Sequence, residues 1–536
     1  MDVIGRAIEN GFFKIKGENF KGKMWRDFEE QSQGKKVILF GFGPGVDFYF
    51  SKYGCSAKAD EIIDNDENIW GVDLQDFLIV PIAKEYGKLR VSGIDLLEKC
   101  DKENTVVLIT SLKHYNEIAY QLELIGITKY FSVLCMEALY RETSGIREVV
   151  DCRSVYEEKC LKEPINPKRI IFITTHGFSG HGKEIARQLI AMRKDVDIVW
   201  PVKDPRGLSF EGIRFISQKN FREYTNALFT SMLWISDTGV PNEKRRKGQI
   251  YIQMKHWASI TLKMFGYDEM AYRGERNPEQ FGIHGLDDID YVIVGSEFDE
   301  RTCRSGFHFH GKAVYAGSPR SDILFRDNEA VQNVKNVYPN ISGKRTLLFA
   351  PTYRVLSKGS VETVYHNDMD FRLVKECMER SFGGEWLILL RLHPFVAEKS
   401  KDVPHPDYVV DVSDYHDSEE LVAVSDAMVT DYSSIMFEPA FVKKPVFLLA
   451  TDKDHYLNNE RGFLIDYNTL PFPIAESNDQ LAENIMKFNQ EEYERDVNVF
   501  FDRYGVHEDG HAGERAAKFI SDLIEEKCMA FDSGCY

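Results

Sequence analysis

Long hydrophobic runs are absent from this chain. No stretch approaches the roughly 18 consecutive apolar residues from which a membrane-spanning helix is built. The first 20 residues carry charges throughout and lack the apolar segment of a secretory signal. We therefore predict a cytoplasmic protein that meets the cell membrane only peripherally, from its inner face.

Paired cysteines and an excess of positive charge are also missing. The nine cysteines form no CxxC pair and are odd in number, which argues against a zinc site and a disulfide framework. Lys and Arg total 67 against 85 Asp and Glu, so the net charge of −18 excludes a general nucleic-acid binder. The densest basic segment, residues 243–247, is either a solvated loop or a contact for an anionic surface.

The remaining composition is that of a soluble globular protein, with 43% hydrophobic and 28% charged residues. A length of 536 residues predicts about three domains of roughly 150 residues each. Strand patterns alternate with helix patterns in three successive blocks. We predict an α/β fold in which a small Rossmann-like domain (residues 1–150) precedes two Rossmann-type halves (165–340 and 341–530), arranged as in GT-B glycosyltransferases.

Buried strands are predicted where short apolar runs end in glycine or polar residues. These strands are Lys36–Phe40, Ile62–Asp66, Thr105–Thr110, Arg169–Thr174, Val196–Trp200, Met232–Ile235, Gln249–Gln253, Tyr291–Val294, Arg345–Ala350, Trp386–Leu390, Ala427–Thr430 and Pro445–Leu449. Helices are predicted at Tyr115–Leu124, Lys183–Arg193 and Gly513–Glu526. A charged, proline-containing linker is predicted at residues 151–168.

The strongest polar signal after a predicted strand lies at residues 430–438. Thr430, Asp431, Ser433 and Ser434 interrupt an otherwise apolar stretch. This pattern predicts a strand that ends in a loop and opens a helix capped by Asp431 or Ser433. Small hydroxyls and free backbone N–H groups there would suit a phosphate, although an ordinary helix cap has the same sequence.

Two other strand ends in this block carry basic residues. Arg354 follows the strand ending at Ala350, and Arg391 and His393 follow the strand ending at Leu390. Open α/β sheets bind ligands at the carboxyl ends of their strands, so these side chains should converge on the Thr430 loop. Pairing with structural carboxylates is the alternative for both arginines.

The middle block places His256 just after the strand that ends at Gln253. A histidine at such a position can act as a general base towards a hydroxyl. The same block closes on a Gly-x-Pro-Arg-x-Asp segment that contains Arg320.

Together these motifs resemble the CDP-glycerol glycerophosphotransferase family, the teichoic-acid primases and polymerases. The resemblance covers about residues 225–525 and rests on the order of many motifs. These are Trp234-Ile235-Ser236, Arg246-Lys247-Gly248-Gln249, the His256 segment, Gly-x-Pro-Arg-x-Asp at 317–322, Ala-Pro-Thr-Tyr-Arg at 350–354, Arg-x-His-Pro at 391–394, Thr-Asp-Tyr-Ser-Ser at 430–434, Asp452 with Tyr456, Arg461-Gly462-Phe463 and Asp509-Gly510.

The chain departs from the family pattern at its histidine. The family has Trp-His-Gly-Thr-Pro directly before Leu-Lys, whereas seven residues, Lys255 to Thr261, precede Leu262-Lys263 here. Two residues are added and Gly-Thr-Pro is lost. His256 remains the best match for the catalytic base, while the geometry of its loop and the acceptor preference stay open.

The resemblance implies transfer of a polyol phosphate. His256 would deprotonate the acceptor, and His393 is the second catalytic candidate. The residues that would bind the CDP donor are Arg320, Arg354, Arg391, Thr430, Asp431, Ser433, Ser434 and Glu438, with Glu438 at the ribose. No Asp-x-Asp convincingly marks a metal site, so metal-independent chemistry without a required cofactor is expected.

The N-terminal block carries Gly41, Gly43 and Gly45 after a strand, with Asp64 23 positions beyond Gly41. This spacing approximates a dinucleotide-binding fingerprint, but the third glycine is one place early and Pro44 interrupts it. A bound nucleotide is one interpretation. An accessory or regulatory module without redox chemistry is the other.

The sequence therefore favours a transferase of teichoic-acid or capsule synthesis. It would add glycerol phosphate or ribitol phosphate from CDP-glycerol or CDP-ribitol to a lipid-linked or glycan acceptor at the cytoplasmic membrane surface. The alternatives are a GT-B glycosyltransferase that uses a nucleotide sugar, an NAD-binding oxidoreductase and a non-catalytic binding protein. No nucleic-acid partner is indicated, and the polyol, the acceptor and the oligomeric state stay open.

Overall fold

The computed structural model describes residues 25–43, 45–46, 49–50, 57–74, 89–111, 114–127, 129–133, 159–175, 177–218, 220–237, 245–274, 288–355, 363–364, 369–393, 396–397 and 404–532. These residues form two compact units. The N-terminal unit contains the described residues up to Pro164, with Pro201–Leu208 and Phe215–Thr230. The main unit contains Ile165–Trp200, Ser209–Arg214 and the described residues from Ser231 onward.

A five-stranded parallel sheet with the order β3-β2-β1-β4-β5 forms the centre of the N-terminal unit. Its strands are β1 (Lys36–Phe40), β2 (Glu61–Ile63), β3 (Val91–Ser92), β4 (Thr105–Ile109) and β5 (Tyr130–Ser132), and the helices are α1 (Trp25–Ser32), α2 (Asp95–Glu98) and α3 (Tyr115–Leu124). The apolar runs of β1 and β4 are continuous because central parallel strands are covered on both faces. The predicted Rossmann-like sheet is confirmed.

A second sheet has seven strands in the order β12-β11-β10-β9-β6-β7-β8. Its strands are β6 (Asn166–Ile173), β7 (Asp197–Val202), β8 (Ile213–Ser217), β9 (Ser231–Ser236), β10 (Ile250–Gln253), β11 (Tyr291–Val294) and β12 (Lys312–Tyr315). The helices of this part of the chain are α4 (Gly180–Met192), α5 (Phe221–Thr230), α6 (Gly266–Arg273) and α7 (Glu297–Gly306), followed by a 3-10 helix at Pro319–Phe325.

A third sheet lies in the main unit and has the order β17-β16-β13-β18-β19-β20. The strands from this part of the chain are β13 (Arg345–Ala350), the antiparallel pair β14 (Arg354–Val355) and β15 (Thr363–Val364), β16 (Trp386–Leu390), β17 (Val409–Asp411), β18 (Ala427–Thr430), β19 (Val446–Leu449) and β20 (Ile474–Ala475). The helices are α8 (Asp327–Val337), α9 (Phe371–Phe382), α10 (Ser418–Val424), α11 (Phe437–Phe441), α12 (Lys453–Asn459), α13 (Asn478–Met486), α14 (Gln490–Tyr504) and α15 (Ala512–Asp532).

The strand order of the third sheet brings three predicted site segments together. Strand β13 pairs in parallel with β16 on one side and with β18 on the other. The residues that follow these three strands therefore leave the sheet at one edge. A single hydrophobic core also joins Ile260 and Leu262, which follow β10, to Leu348 and Met428 of the third sheet.

The N-terminus of the last helix, α15, is capped by a residue that is distant in the sequence. The backbone N–H groups of Ala512 and Gly513 donate to the two carboxylate oxygens of Asp322, at 3.0 and 2.7 Å. Arg515 donates from Nε to the carbonyl of Ala316. The Gly-x-Pro-Arg-x-Asp segment thus provides the cap of a helix 190 residues further along the chain.

Most predicted elements are confirmed within three residues of their predicted ends. The predicted linker at 151–168 is wrong at its end, because β6 begins at Asn166; residues 151–158 lie outside the described ranges. The strand predicted to reach Asp66 stops at Ile63, since the Asp64 carboxylate binds backbone N–H groups and turns the chain. The three-domain boundaries stay a prediction. In the described ranges no helix combines the length and the apolarity needed to cross a bilayer.

Candidate active site

The carboxyl ends of β13 and β18 meet in a buried cluster of charges. Arg354 binds Asp452 through Nε at 2.7 Å and Asp431 through Nη2 at 2.9 Å. The other carboxylate oxygen of Asp431 accepts from the backbone N–H and the hydroxyl of Thr352, at 2.9 and 2.7 Å. Arg354 and Asp431 converge as the sequence predicted, and they bind each other.

Aromatic rings surround this cluster. The guanidinium carbon of Arg354 lies 5.0 Å from the ring centroids of both Tyr432 and Tyr456, which stack on each other. The Tyr432 hydroxyl donates to Asp452, and the Tyr467 hydroxyl donates to the Asp431 carbonyl. Arg354 is therefore held by two carboxylates and by a stacked pair of aromatic rings, which fix its position in the site.

The hydroxyls of the Thr430 loop have different partners. Thr430 donates to the Ala350 carbonyl at 2.7 Å, and Ser433 caps the 3-10 turn Ser434–Met436 by accepting from Ile435 N. Ser434 Oγ lies 3.0 Å from Thr261 Oγ1 and accepts from the backbone N–H of Leu262 at 3.0 Å. The predicted cap at Ser433 is confirmed, and Ser434 contacts the segment that follows His256.

Arg391 and His393 leave β16 at the same edge of the sheet. Arg391 Nη1 donates to three backbone carbonyls, those of Val412, Ser413 and Tyr415, at 3.0, 2.6 and 2.5 Å. Burial lowers the pKa of Arg391, although it stays a strong cation. The His393 ring lies 4.6 Å from the Tyr353 ring and is partly buried. Arg391 fixes the loop around residues 412–415, and both side chains are partly buried.

The loop after β10 exposes His256 between two buried neighbours. Lys255 has a positive φ of 59°, a conformation that non-glycine residues seldom adopt. Its ammonium lies 2.9 Å from Asp299, and both side chains are fully buried. Trp257 donates from Nε1 to the same carboxylate at 3.2 Å and packs on Phe265. The turn at Lys255 and the Trp257 anchor together direct His256 outward.

Arg320 binds the backbone of this loop and two carboxylates. Its Nη1 donates to the His256 carbonyl at 2.6 Å, while Nη2 pairs with Glu419 and lies 3.4 Å from Glu438. Burial raises the pKa of Glu419 to about 8 and also raises that of Glu438. Among the described residues, no atom forms a hydrogen bond with Glu438 Oε2. The predicted donor ligands Arg320 and Glu438 are thus paired with each other, at the loop of the predicted base.

A second histidine, which the sequence did not single out, supports the same loop. His181 is buried and lies with Nε2 2.8 Å from the Trp257 carbonyl, while Nδ1 accepts from Arg320 N at 3.4 Å. These partners assign the proton to Nε2. Burial lowers the pKa of His181 far below its ordinary value, so this histidine is a neutral structural donor.

Two partly buried carboxylates near these segments were not identified from the sequence. Glu508 accepts from the Ser259 hydroxyl and from Ser318 N, and burial raises its pKa to about 7. Asp237, whose pKa burial raises to about 6, accepts from Thr175. Neither position carries a local motif, because the contacts that bury them come from distant parts of the chain.

One group of side chains has the spacing of a metal site. His416, Asp417 and Glu420 place their ligand atoms within 4.8 Å of one another. Lys183 Nζ lies 2.6 Å from Asp417 and 3.1 Å from Glu420, so an ammonium already neutralises these carboxylates. The arrangement does not fit a resident cation, and the expectation of metal-independent chemistry stays a prediction.

The basic segment predicted at 243–247 is described from Arg245 onward. Arg245 pairs with Asp290 and donates to the Gln249 carbonyl at 3.1 Å. This arginine therefore holds the entry to β10. For residues 246–247, a solvated loop and a contact for an anionic surface both stay predictions.

In the N-terminal unit two of the three fingerprint glycines are required by the backbone and its packing. Gly41 has a φ of 103°, and a β-carbon at Gly45 would lie 2.0 Å from the Thr110 carbonyl oxygen. Asp64 accepts from Phe42 N at 2.6 Å and Asp66 N at 2.8 Å. Backbone N–H groups thus engage both oxygens of this carboxylate. A nucleotide at Gly41, Gly43, Gly45 and Asp64 stays a prediction.

Comparison with known proteins agrees with this geometry. The profile of the family described as CDP-Glycerol:Poly(glycerophosphate) glycerophosphotransferase matches residues 156–522. A teichoic acid poly(glycerol phosphate) polymerase of Staphylococcus epidermidis is 28% identical over 452 residues, which cover 81% of this chain and 61% of that protein. The chain thus spans about three fifths of the length of this relative.

Other relatives differ in the polyol that their names carry. A teichoic acid glycerol-phosphate transferase of Staphylococcus aureus is 27% identical, over 70% of this chain and 98% of that protein. A teichoic acid poly(ribitol-phosphate) polymerase of Bacillus spizizenii is 32% identical, over 53% of this chain and 45% of that protein.

The solved structures of the wall teichoic acid polymerase TagF have the same fold. One superposes with a TM-score of 0.61 at 24% identity, covering 78% of this chain and all of that one. A TagF variant soaked with CDPG gives a TM-score of 0.60 at 26% identity, covering 70% of this chain and 93% of that one. The GT-B-like fold is thereby confirmed. Since the family profile spans well over half of the sequence, the chain belongs to the CDP-glycerol:poly(glycerophosphate) glycerophosphotransferase family.

Proposed function

We propose that this protein is a polyol-phosphate transferase. It moves glycerol phosphate or ribitol phosphate from a CDP-activated donor to an acceptor hydroxyl and releases CMP. Membership of the family supports the donor class. Some relatives are named for glycerol phosphate and others for ribitol phosphate, so both CDP-glycerol and CDP-ribitol should be tested as donors.

The observation that carries the proposal is the presentation of His256. Its side chain is exposed at the carboxyl end of β10, while Lys255 and Trp257 on either side are buried. Arg320 holds its carbonyl and is itself held by Glu419. An imidazole that is exposed on a loop fixed at three points suits a general base.

The proposed reaction is an in-line displacement at phosphorus. Neutral His256 accepts the proton of the acceptor hydroxyl, whose oxygen attacks the phosphorus that bears the polyol. The bond from this phosphorus to the oxygen bridging to CMP breaks, and CMP leaves with the bonding electrons. Positioning and charge stabilisation supply most of the catalysis in such transfers.

In this proposal the residues around the Thr430 loop stabilise the negative charge of the donor. Arg354 and Arg391 lie with His393 at one sheet edge beside the Thr430 loop, and the two guanidinium groups offset the charge of the pyrophosphate. Arg354 and Arg391 already have fixed protein partners, so they act as preorganised charges whose position costs no rearrangement. His393, partly buried beside Tyr353 at the same sheet edge, is the candidate for a direct contact with the leaving phosphate.

The acceptor and the membrane location are further parts of the proposal. A lipid-linked or glycan hydroxyl at a membrane surface suits relatives that are named for teichoic acid. Sedimentation of the protein with vesicles that contain anionic lipid tests this part, and a protein that stays in the supernatant at low salt contradicts it.

The test of the function is CMP release across a panel of donors. We expect release and a polyol-phosphate adduct on a glycerol-phosphate-primed lipid acceptor with CDP-glycerol or CDP-ribitol, detected by mass spectrometry. UDP-sugars and CMP-sugars should give neither. Transfer from a nucleotide sugar would instead establish a glycosyltransferase, and NAD(P)H-dependent turnover would establish an oxidoreductase.

A further inference from the structure

The segment that follows the His256 loop lies directly against the Thr430 loop. Lys263 forms an antiparallel bridge with Phe463, and on either side Met264 N donates to the Gly462 carbonyl and Leu464 N to the Leu262 carbonyl. Leu262 N also donates to Ser434 Oγ at 3.0 Å. Backbone contacts thus fix the position of Lys263 beside the loop at the end of β18.

The Lys263 side chain lies beside the ring of Tyr456 and near two other cations. Its ammonium nitrogen is 5.5 Å from the centroid of the Tyr456 ring, the ring that also contacts the guanidinium of Arg354. The residue is partly buried. Within the described part of the chain, Lys263 Nζ has no ion pair within 4.0 Å and no hydrogen-bond partner.

Three other buried or partly buried cations of the main unit have carboxylate partners. Lys183 binds Asp417, Lys255 binds Asp299, and Arg320 binds Glu419. Each of these pairs compensates the cost of burying a charge. Lys263 lacks such a partner beside a loop in which the main unit offers hydroxyls and arginines, so a negative group from outside the chain would complete its environment.

The charged groups that face Lys263 are two cations and two carboxylates. Arg461 and Arg354 repel a positive charge there, and Asp431 and Glu460 attract one. Asp431 is already bound by Arg354 and Thr352. Burial, followed by Arg461, lowers the pKa of Lys263 to about 7.

We propose that Lys263 binds the pyrophosphate of the donor and takes up a proton as the donor binds. This inference rests on the proposed function, since it names the residue that receives the donor's negative charge. At pH 8 the free protein holds Lys263 mainly as the neutral amine. The incoming phosphate oxygens favour the ammonium, so a buffer acid gives up one proton to the amine nitrogen, and the resulting N–H groups donate to the phosphate.

The proton uptake is measurable by calorimetry. CDP-glycerol is titrated without acceptor into the full-length protein at pH 8, in buffers with different ionisation enthalpies. The pyrophosphate diester of this ligand does not titrate between pH 6 and 8, so the slope of observed enthalpy against ionisation enthalpy counts protons bound by the protein. We expect close to one proton at pH 8 and almost none at pH 6. Cytidine, which lacks phosphate, should cause no uptake.

Two variants separate charge from proton exchange. Lys263→Arg keeps a permanent cation, so it should bind CDP-glycerol without proton uptake. Lys263→Met should weaken binding about ten- to a hundredfold and also abolish uptake. Lys518→Met removes an exposed lysine paired with Asp522 on α15 and should change neither quantity. Circular dichroism of each variant checks that it is folded.

The outcomes distinguish this inference from the proposed function. A wild-type protein that releases no CMP from any CDP-polyol in the presence of acceptor removes the function itself. Turnover by a wild-type protein whose binding enthalpy is independent of the buffer overturns only the role of Lys263. So does a Lys263→Arg protein that still takes up the proton, or a Lys263→Met protein with wild-type affinity for CDP-glycerol.

Discussion

Two loops of this protein follow buried parallel strands, and they treat their polar groups differently. In the N-terminal unit, Asp64 binds the backbone of the glycine loop, and Gly45 fits against Thr110. In the main unit, the segments at the ends of β10 and β18 collect buried charges. Burial raises the pKa of Glu419 to about 8 and that of Glu508 to about 7, and it lowers that of Lys263 to about 7.

This difference between the two loops indicates which of them is the better candidate for a catalytic site. A carboxylate whose two oxygens both accept backbone N–H groups stabilises a loop. Buried groups whose protonation lies near neutrality are costly to maintain and cluster at functional sites. The same strand-loop-helix sequence pattern thus serves packing in one unit and a candidate active site in the other.

The largest expected effect tests the main-unit site directly. His256→Ala should lower the rate of polyol-phosphate transfer about 10²- to 10⁴-fold, because it removes the proposed general base. The affinity for CDP-glycerol should change little. His507→Ala, an exposed histidine near the end of α14, is the matched control. CMP release at saturating donor is the measurement, and an unchanged rate in the His256→Ala protein would remove the base assignment.

A second variant contrasts a buried ion pair with an exposed one. Asp299→Ala leaves the ammonium of Lys255 buried without its counterion, so the free energy of unfolding of the main unit should fall by about 3–5 kcal/mol. Asp95→Ala in the N-terminal unit breaks the exposed pair with Lys99 and should cost less than about 1 kcal/mol.

Hydrogen exchange followed peptide by peptide measures the loss of stability in the main unit and in the N-terminal unit separately. The double variant Lys255→Met with Asp299→Leu should regain part of the stability, because it removes the uncompensated charge. Equal losses from Asp299→Ala and Asp95→Ala would contradict the contrast between the two units.

Two glycine variants sharpen the packing account of the N-terminal loop. Gly45→Ala places a β-carbon 2.0 Å from the Thr110 carbonyl oxygen, so the loop or β4 must shift. The expected loss is about 1–3 kcal/mol. Gly43→Ala meets no atom within 4 Å and should be nearly neutral. Exchange rates of the β1 and β4 amides report the difference, and similar rates in both variants would argue against the packing role.

The smallest expected effect concerns pH. The protonated Glu508 carboxyl is favoured in the folded state up to about pH 7 but is lost from the unfolded chain above about pH 4.3. Its contribution to stability is therefore fully present below about pH 4.3 and is lost as the pH rises through about 7. In Glu508→Gln a neutral amide replaces this group. Between pH 5 and pH 8 the unfolding free energy of this variant should therefore fall by about 1–2 kcal/mol less than that of the wild type.

Urea unfolding at several pH values measures this slope. Glu526→Gln, which changes an exposed carboxylate on α15, is the control and should follow the wild-type curve. Parallel curves for the wild type and Glu508→Gln would show that Glu508 titrates at its ordinary value.

Local sequence patterns were enough for several parts of the site. The apolar run before Thr430 predicted β18, and Ser433 was predicted as a cap. The three strand ends that carry Arg354, Arg391 and Asp431 do share one edge of the sheet. These features depend on residues close together in sequence, because strand propensity, helix capping and the direction of parallel strands are local properties.

The partners of the charged groups could not be predicted from the sequence. Ser259 and Glu508 lie 249 residues apart, and Leu262 lies 172 residues from the Ser434 hydroxyl that it binds. For Arg354 the sequence left a donor contact and a carboxylate pair as alternatives, and it did not identify Asp431 and Asp452 as the partners that the structure shows. No periodicity or spacing encodes such pairings.

By itself, the sequence determined the α/β architecture, the order of the motifs and the family, since each follows from local patterns read along the chain. Only the tertiary structure decided which polar groups are buried in pairs and which are exposed. Burial sets that distinction: His256 is exposed, Arg320 is held between Glu419 and the loop of His256, and Lys263 lies beside Tyr456 and near two arginines. Burial arises when distant segments pack together, and for that reason it appears only in the folded chain.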